Sequence, residues 1–338
     1  MMSLKERIQK TDNHILGLAG LMVVVLLLMA ITKGKTYYTA SNFSSMVYQF
    51  PEYGILAFGM MICMIAGGID LSLVGIMDLS GVVAALIMQK MGGSAGSIIL
   101  GCLMAMVVGL ICGAINGVII GSLEIPAMLV TLCTLQLYQG LALAITGGPA
   151  INNLPDAFVN IANGSLGSVP YVIFIFIAVA FIVWFVMNCT VFGHEVYYIG
   201  SNSKAARYSG INTMKTIVTA YMTSGILGGI SGILITSHLN SAKSSNGVSY
   251  TLLTLLIVVL GGVNPDGGDG KVSGVTMAII LLQMIANAFT IMRQPDTMKT
   301  FVNGVILVAA LVVDAIAIKR RAAAEARRKS EEAQKANK

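Results

Sequence analysis

The stretch IAGGIDLSLVGIMDLSG, residues 65–81, sets two carboxylates, Asp70 and Asp78, in a run otherwise apolar enough for lipid, at a Gly-Gly break between two hydrophobic segments. A carboxylate at membrane depth costs several kcal/mol unless it is paired or faces a protein-lined cavity, so both are functional candidates. The stretch predicts an all-α polytopic membrane protein whose chemistry lies inside the bilayer.

The rest of the chain agrees, since 56% of 338 residues are hydrophobic and 11% charged, which excludes soluble folding. Apolar windows lie at residues 15–31, 54–65, 71–88, 97–120, 125–145, 170–187, 217–237, 250–263, 274–289 and 301–318, about ten transmembrane helices in all. The first follows Lys5, Arg7 and Lys10 with no small-residue cleavage site before Lys33, and reads as a retained signal anchor, a cleaved leader being the alternative. The second and eighth fall short of the roughly 20 residues a perpendicular crossing needs. Such short, glycine-ended segments border a cavity or pack inside protein. The division is a cytoplasmic N-terminus at 1–14, a membrane domain at 15–318 with a long cytoplasmic loop at 188–216, and a basic tail at 319–338 expected to be disordered.

Loops that cross the membrane resist Lys and Arg. With the N-terminus inside, fifteen of the 21 basic residues are cytoplasmic, including Lys204, Arg207, Lys215, Lys271 and the tail; Lys33, Lys35, Lys90, Lys243, Arg293 and Lys299 are external. Both termini are then cytoplasmic.

The chain also repeats itself: Gly67-Gly-Ile-Asp70 recurs as Gly261-Gly-Val-Asn264, Leu79-Ser-Gly-Val as Val272-Ser-Gly-Val, and Ile115-Asn-Gly-Val-Ile as Val302-Asn-Gly-Val-Ile. Three matches in one order point to a parallel duplication of segments 1 to 4 in segments 7 to 10, a construction common in transporters. Gly109, Gly113, Gly117 and Gly121 recur every fourth residue, as do Ser224, Gly228 and Gly232, which reads as close helix packing.

Chemistry of other kinds is sparse. Five cysteines lie scattered without metal-ligand spacing, three histidines form no cluster, and no metal site is expected. Residues 265–272, PDGGDGKV, fail as a phosphate-binding loop because Pro265 stands where Gly is needed and Val272 where Ser or Thr is needed. Any ATP would have to bind another subunit. In the cytoplasmic loop, residues 203–209 can form a short helix with Asn202 or Ser201 as cap and Gly210 as stop. It suits either transmission of motion from a partner or a hold on anionic membrane lipid through Lys204 and Arg207.

GGIDLS, LSGVVAALI, the TLxTLxxYxGLALxxTGGP pattern of residues 131–149, the FGHEVYYIGSNSKAARYSGIN loop and the LGGVNPDGG turn together resemble the inner-membrane permease subunits of ribose, galactose, xylose and autoinducer-2 ABC importers, over about residues 42–314. The resemblance implies a vitamin B12 importer-like (type II) permease fold in a bacterial inner membrane. It implies no enzyme activity and no cofactor on this chain, ATP and Mg belonging to the partner ATPase. The implied partners are a second permease subunit, two cytoplasmic ATPases docked on Lys204, Ala205, Ala206, Arg207, Ser209 and Gly210, and an external binding protein delivering a small polar solute; no nucleic acid is involved. The chain departs from the family pattern at Asp78, Cys133 and Gln139, in the turn 292–298, and at Ser203-Lys204.

Candidates for the translocation path are Asp70, Ser72, Asp78, Asn116, Gln136, Gln139, Gln283, Asn287 and Asn303, with Asp70 expected to cap the third helix at its N-terminus. Each has a plainer role in an interhelical hydrogen bond. Lys33, Lys35, Lys243, Arg293 and Lys299 are candidates for docking the binding protein. The rival reading is a proton-coupled secondary transporter using Asp70 or Asp78.

Overall fold

Helix boundaries in the computed structural model, which describes residues 4–312 apart from 168 and 296, are set by short polar side chains. Thr39 accepts the Asn42 N–H to open α2 (Ala40–Ile65), and Ser94 accepts the Ser97 N–H to open α4 (Ala95–Leu123). Thr190, Asn202 and Asn212 cap α8 (Val191–Ser201), α9 (Ser203–Tyr208) and α10 (Thr213–Leu239) in the same way. Such caps satisfy N–H groups that the helix itself leaves unpaired, which matters most where lipid offers no substitute.

The remaining helices are α1 (Leu4–Tyr37), α3 (Leu73–Lys90), α5 (Ala127–Thr146), α6 (Asp156–Asn163), α7 (Tyr171–Cys189), α11 (Tyr250–Leu260), α12 (Val272–Ile291) and α13 (Thr297–Val312). The fold is all-helical apart from two-residue strands: β1 (Ile151–Asn152) pairs antiparallel with β4 (Ser241–Ala242), and β2 (Ser165–Leu166) with β3 (Val169–Pro170). Seven helices among the described residues are long and apolar enough to cross a membrane: α1 from His14, α3, α4, α5, α7, α10 and α12. By contacts the chain divides after Gln294, so α13, with Asn303 and Lys299, belongs to a second unit. The tail at 319–338, the N-terminal Met1 to Ser3 and the end of the last window lie outside the described residues.

Helix α2 corrects the expectation of a short second segment. It starts at Ala40, not Gly54, and its first half carries Asn42, Gln49, Pro51 and Glu52. From Phe50 to Ile65 every residue is buried. A helix enclosed by protein needs partners for its polar groups rather than an apolar surface, so hydropathy alone misses its first turns.

The tightest seam joins α4 to α10. A Cβ on Gly109 would strike the Gly225 carbonyl oxygen, one on Gly225 the Gly109 oxygen, and one on Gly113 the Tyr221 oxygen. The every-fourth spacing of glycines thus lets two backbones touch. The outward side of α4 (Ile99, Leu103, Val107, Ile111, Ile115) is exposed and wholly aliphatic.

The two breaks close alike. After α2, Ala66, Gly67 and Gly68 donate to Ile62, Met64 and Cys63; after α11, Gly261, Gly262 and Val263 donate to Ile257, Val259 and Val258. Gly67 and Gly262 both have positive φ, 92° and 82°. This is a common helix ending, and it sets Gly67 against Gly262, one residue off the register of the sequence match.

Candidate functional site

Asp70 lies just past the α2 ending and is fully buried. Oδ1 accepts the Ser72 N–H (3.1 Å) and the Ser72 hydroxyl (2.5 Å); Oδ2 accepts the Ser224 hydroxyl of α10 (2.9 Å), with the Cys63 thiol at 3.9 Å. Asn116 Nδ2 on α4 donates to Ser72 Oγ (2.7 Å), and Tyr138 on α5 donates to Asn116 Oδ1 (3.1 Å) and to the Cys112 carbonyl (3.0 Å). Thr131 on α5 donates to the Ile69 carbonyl (2.9 Å). The loop between α2 and α3 is therefore anchored to α10 by the Asp70 carboxylate, to α4 by the Ser72 hydroxyl and to α5 by the Ile69 carbonyl.

Asp70 is not the N-cap of α3. Ser72 holds that position, with no side-chain cap bond, and the carboxylate takes the Ser72 N–H one residue earlier. An amide oxygen can accept the two Ser72 bonds while the amide NH2 donates to a turned Ser224 hydroxyl, so Asp70→Asn should keep most transport. Asp70→Leu should lose several kcal/mol, because the donors of Ser72 and Ser224 would be left unpaired at about 1–3 kcal/mol each. Thermal melting of the detergent-purified protein beside solute uptake checks this; equal loss in both variants would show that the charge itself is needed.

The other candidates separate in space. Asp78 Oδ1 accepts the Gly247 N–H (3.2 Å), and Oδ2 has no hydrogen-bond partner, although the Gln139 amide interacts with the carboxyl group. Gln283 and Asn287 on α12 face α2: Tyr53 donates to Gln283 Oε1 (2.5 Å), Gln283 to Gln49 Oε1 (3.2 Å), and Asn42 and Asn287 exchange two bonds (3.0 and 2.9 Å). Gln136 is exposed on α5. Sequence reasoning missed Glu52, a buried carboxylate that accepts the Tyr250 hydroxyl (2.5 Å) and lies 3.4 Å from His238 Nδ1. It missed Ser224 and Tyr138 as well. A carboxylate inside a helix next to Pro51 carries the same intramembrane signal as Asp70 once α2 is extended to Ala40.

The loop between α7 and α10 holds two helices at a bend. Asn202 Oδ1 accepts the Ala205 N–H (3.0 Å), and Gly210 ends α9 with φ 86°. Lys204, Ala205, Arg207, Ser209 and Gly210 are exposed; Ala206 is 5% exposed and packs inward, so it cannot face a partner. The residue overlooked is Tyr208, 94% exposed.

Behind α9, three distant motifs meet. Tyr197 on α8 donates to the Gly270 carbonyl (2.8 Å), and the Gly268 N–H donates to the Ile65 carbonyl at the end of α2 (2.9 Å). Burial, with the Asp269 carboxylate adding to it, pushes the Tyr197 phenol up to about 12, so it stays a donor at neutral pH. A Cβ on Gly200 would strike the Ile65 oxygen and lie 2.5 Å from Gly268 N, while one on Gly267 would lie 2.8 Å from Gly67 Cα and 3.0 Å from Gly200 Cα. Thr216 on α10 donates to Glu195 Oε2 (2.7 Å), completing the attachment. The loop thus rests on both helix breaks at once.

A family model described as "Branched-chain amino acid transport system / permease component" matches residues 42–311. The chain belongs to this permease family. The ribose import permease protein of Haemophilus influenzae is 28% identical over 298 residues, covering 86% of this chain and 91% of that protein. The L-arabinose transport system permease protein of Escherichia coli is 30% identical over 297 residues (87% and 89%), and the autoinducer 2 import system permease protein of Yersinia pestis is 29% identical over 314 residues (90% and 92%). No solved structure matches the chain. The chain is a membrane permease subunit rather than an enzyme, and the proton-coupled alternative at Asp70 or Asp78 finds no support among these relatives.

Proposed function

We propose that this permease is one of two membrane subunits of an ATP-driven importer in a bacterial inner membrane, passing a sugar or sugar-like solute from an external binding protein. Helices α1 to α5, α7 and α10 to α13 serve as ten crossings of a vitamin B12 importer-like fold, with both termini cytoplasmic. ATP and Mg are handled by two partner ATPases. Support comes from the relatives' names, from the excess of Lys and Arg in the segments that the sequence assigns to the cytoplasm, and above all from the loop that joins exposed α9 to both helix breaks. A push on α9 reaches the Ile65 carbonyl and the 261–271 turn through backbone contacts alone. Lys33, Lys35, Lys243 and Arg293 are exposed and, with Lys299, remain candidates for docking the binding protein.

Tyr208 supplies the test. An aromatic side chain seated in a partner groove is a typical anchor of binding energy, so Tyr208→Asp should leave the chain inserted while uptake and the stimulation of ATP hydrolysis by loaded binding protein fall about tenfold or more. ATPase assays on the co-purified complex in proteoliposomes read both, and full stimulation in the variant would refute docking at α9.

A further inference from the structure

Segment 240–249 does not stay at the end of α10. From Leu239 the chain turns inward until the Gly247 N–H reaches Asp78 and Tyr250 reaches Glu52. A Cβ on Gly247 would press on Met77 Cε and lie 3.1 Å from Val74. Ser231 marks that depth, since its hydroxyl lies 3.3 Å from Met77 Sδ and 2.6 Å from the Glu52 carbonyl. It precedes the end of α10 by eight residues, about 12 Å along the axis. The segment is the unwound first part of the crossing that α11 completes, and α11 has only 11 residues because it starts at this depth. Irregular backbone so deep in a membrane protein is tolerated where protein encloses it or where it borders a water-filled path.

We infer that segment 240–249 is a plug in the solute path, and that Glu52 and Asp78 are the positioning residues that hold it there, a reading that rests on the importer function proposed above. The two carboxylates sit on α2 and α3, the helices on either side of the Asp70 break, so the segment is bonded to both. Both are buried, and the groups that reach them are hydroxyl, imidazole and amide. Burying two acidic groups costs more than a few such bonds return, whether each keeps its charge or holds a proton it would lose in water, and one oxygen of Asp78 has no partner. Withdrawal of the plug rehydrates both groups, which brings the closed and open arrangements near balance. A permanent closure would use neutral pairs such as Asn42 with Asn287. The start of the segment stays fastened by the β1–β4 pair, which holds Ser241 and Ala242, and by the Leu154 N–H on Asn240 Oδ1 (2.9 Å), so the hinge lies just after Ala242.

Val74 lies beneath the plug and is 1% exposed. In the assembled importer carrying Val74→Cys, a membrane-impermeant methanethiosulfonate is applied on the side opposite α9 and the labelling rate is read against the unsubstituted chain. Glu52→Gln with Asp78→Asn keeps the acceptors and removes the charges, so labelling should slow about tenfold or more and uptake fall with it. Gly247→Leu should do the reverse and speed labelling, since a whole side chain at a position closed by Met77 and residue 74 exceeds what turning the Met77 methyl aside can admit. Unchanged labelling in both variants overturns the plug. If the double variant fails to insert, the Gly247→Leu arm decides alone. Labelling needs neither ATP nor solute, so a shift in rate with uptake independent of any ATPase would keep the plug and overturn the importer reading instead.

Discussion

Gly225→Leu is expected to yield no monodisperse protein after detergent extraction, and Gly225→Ala to melt well below the unsubstituted chain. The reciprocal positions Gly109 and Gly225 each present a backbone oxygen where the other's Cβ would go, and Gly229 repeats the arrangement 2.6 Å from the Ala105 oxygen. An added methyl must separate two helices over their whole shared length, and overpacking of this kind costs about 1–3 kcal/mol per added group or more. Gly140→Ala is the matched control: nothing lies within 4 Å of its Cβ, and the helix gains about 1 kcal/mol of propensity. Size-exclusion profiles and melting curves of the three variants check the pair. If Gly225→Ala melted like Gly140→Ala, the seam would have slack that the contacts deny.

Gly200→Val is expected to abolish uptake while leaving the ATPase bound. Its side chain would displace the Ile65 carbonyl and break the bond from the Gly268 N–H, a direct hydrogen bond between the two helix breaks. α9, capped by Asn202 and closed by Gly210, lies beyond this contact and keeps its shape. ATP would then be hydrolysed without moving solute. Co-purification of the ATPase beside an uptake assay separates the effects, and normal uptake in the variant would show that motion reaches the breaks by another route.

The helices were legible because lipid imposes an apolar requirement on any segment facing it, and among the described residues each of the ten windows falls on a helix. The start of α2 was not, because Gln49 and Glu52 are satisfied by Gln283, Tyr250 and His238, partners that no local pattern announces. The short helix at 203–208 could be read from its cap and stop, yet which of its faces is free depends on packing, so Ala206 was assigned to a partner and Tyr208 passed over. The repeat was matched through paired glycines, whereas the backbone aligns by the single glycine with positive φ, the first of one pair and the second of the other. Asp70 and Asp78 stood out as carboxylates in apolar runs. That one is fully bonded and the other left with a bare oxygen follows from Ser224 and Gly247, which lie 154 and 169 positions away.

The 154 positions between Asp70 and Ser224 also set a schedule for synthesis. At roughly 5–20 residues per second, the ribosome delivers α10 about 8 to 30 s after the break between α2 and α3 has been made. Through that interval the Asp70 carboxyl lacks the hydroxyl that later pairs with Oδ2, and α4 lacks the seam it will share with Gly225. The first five helices must wait in the membrane as an unfinished set, with the break held by water or by the insertion machinery. A chain stopped before residue 224 would leave that set unfinished, and should be a preferred target for membrane proteases.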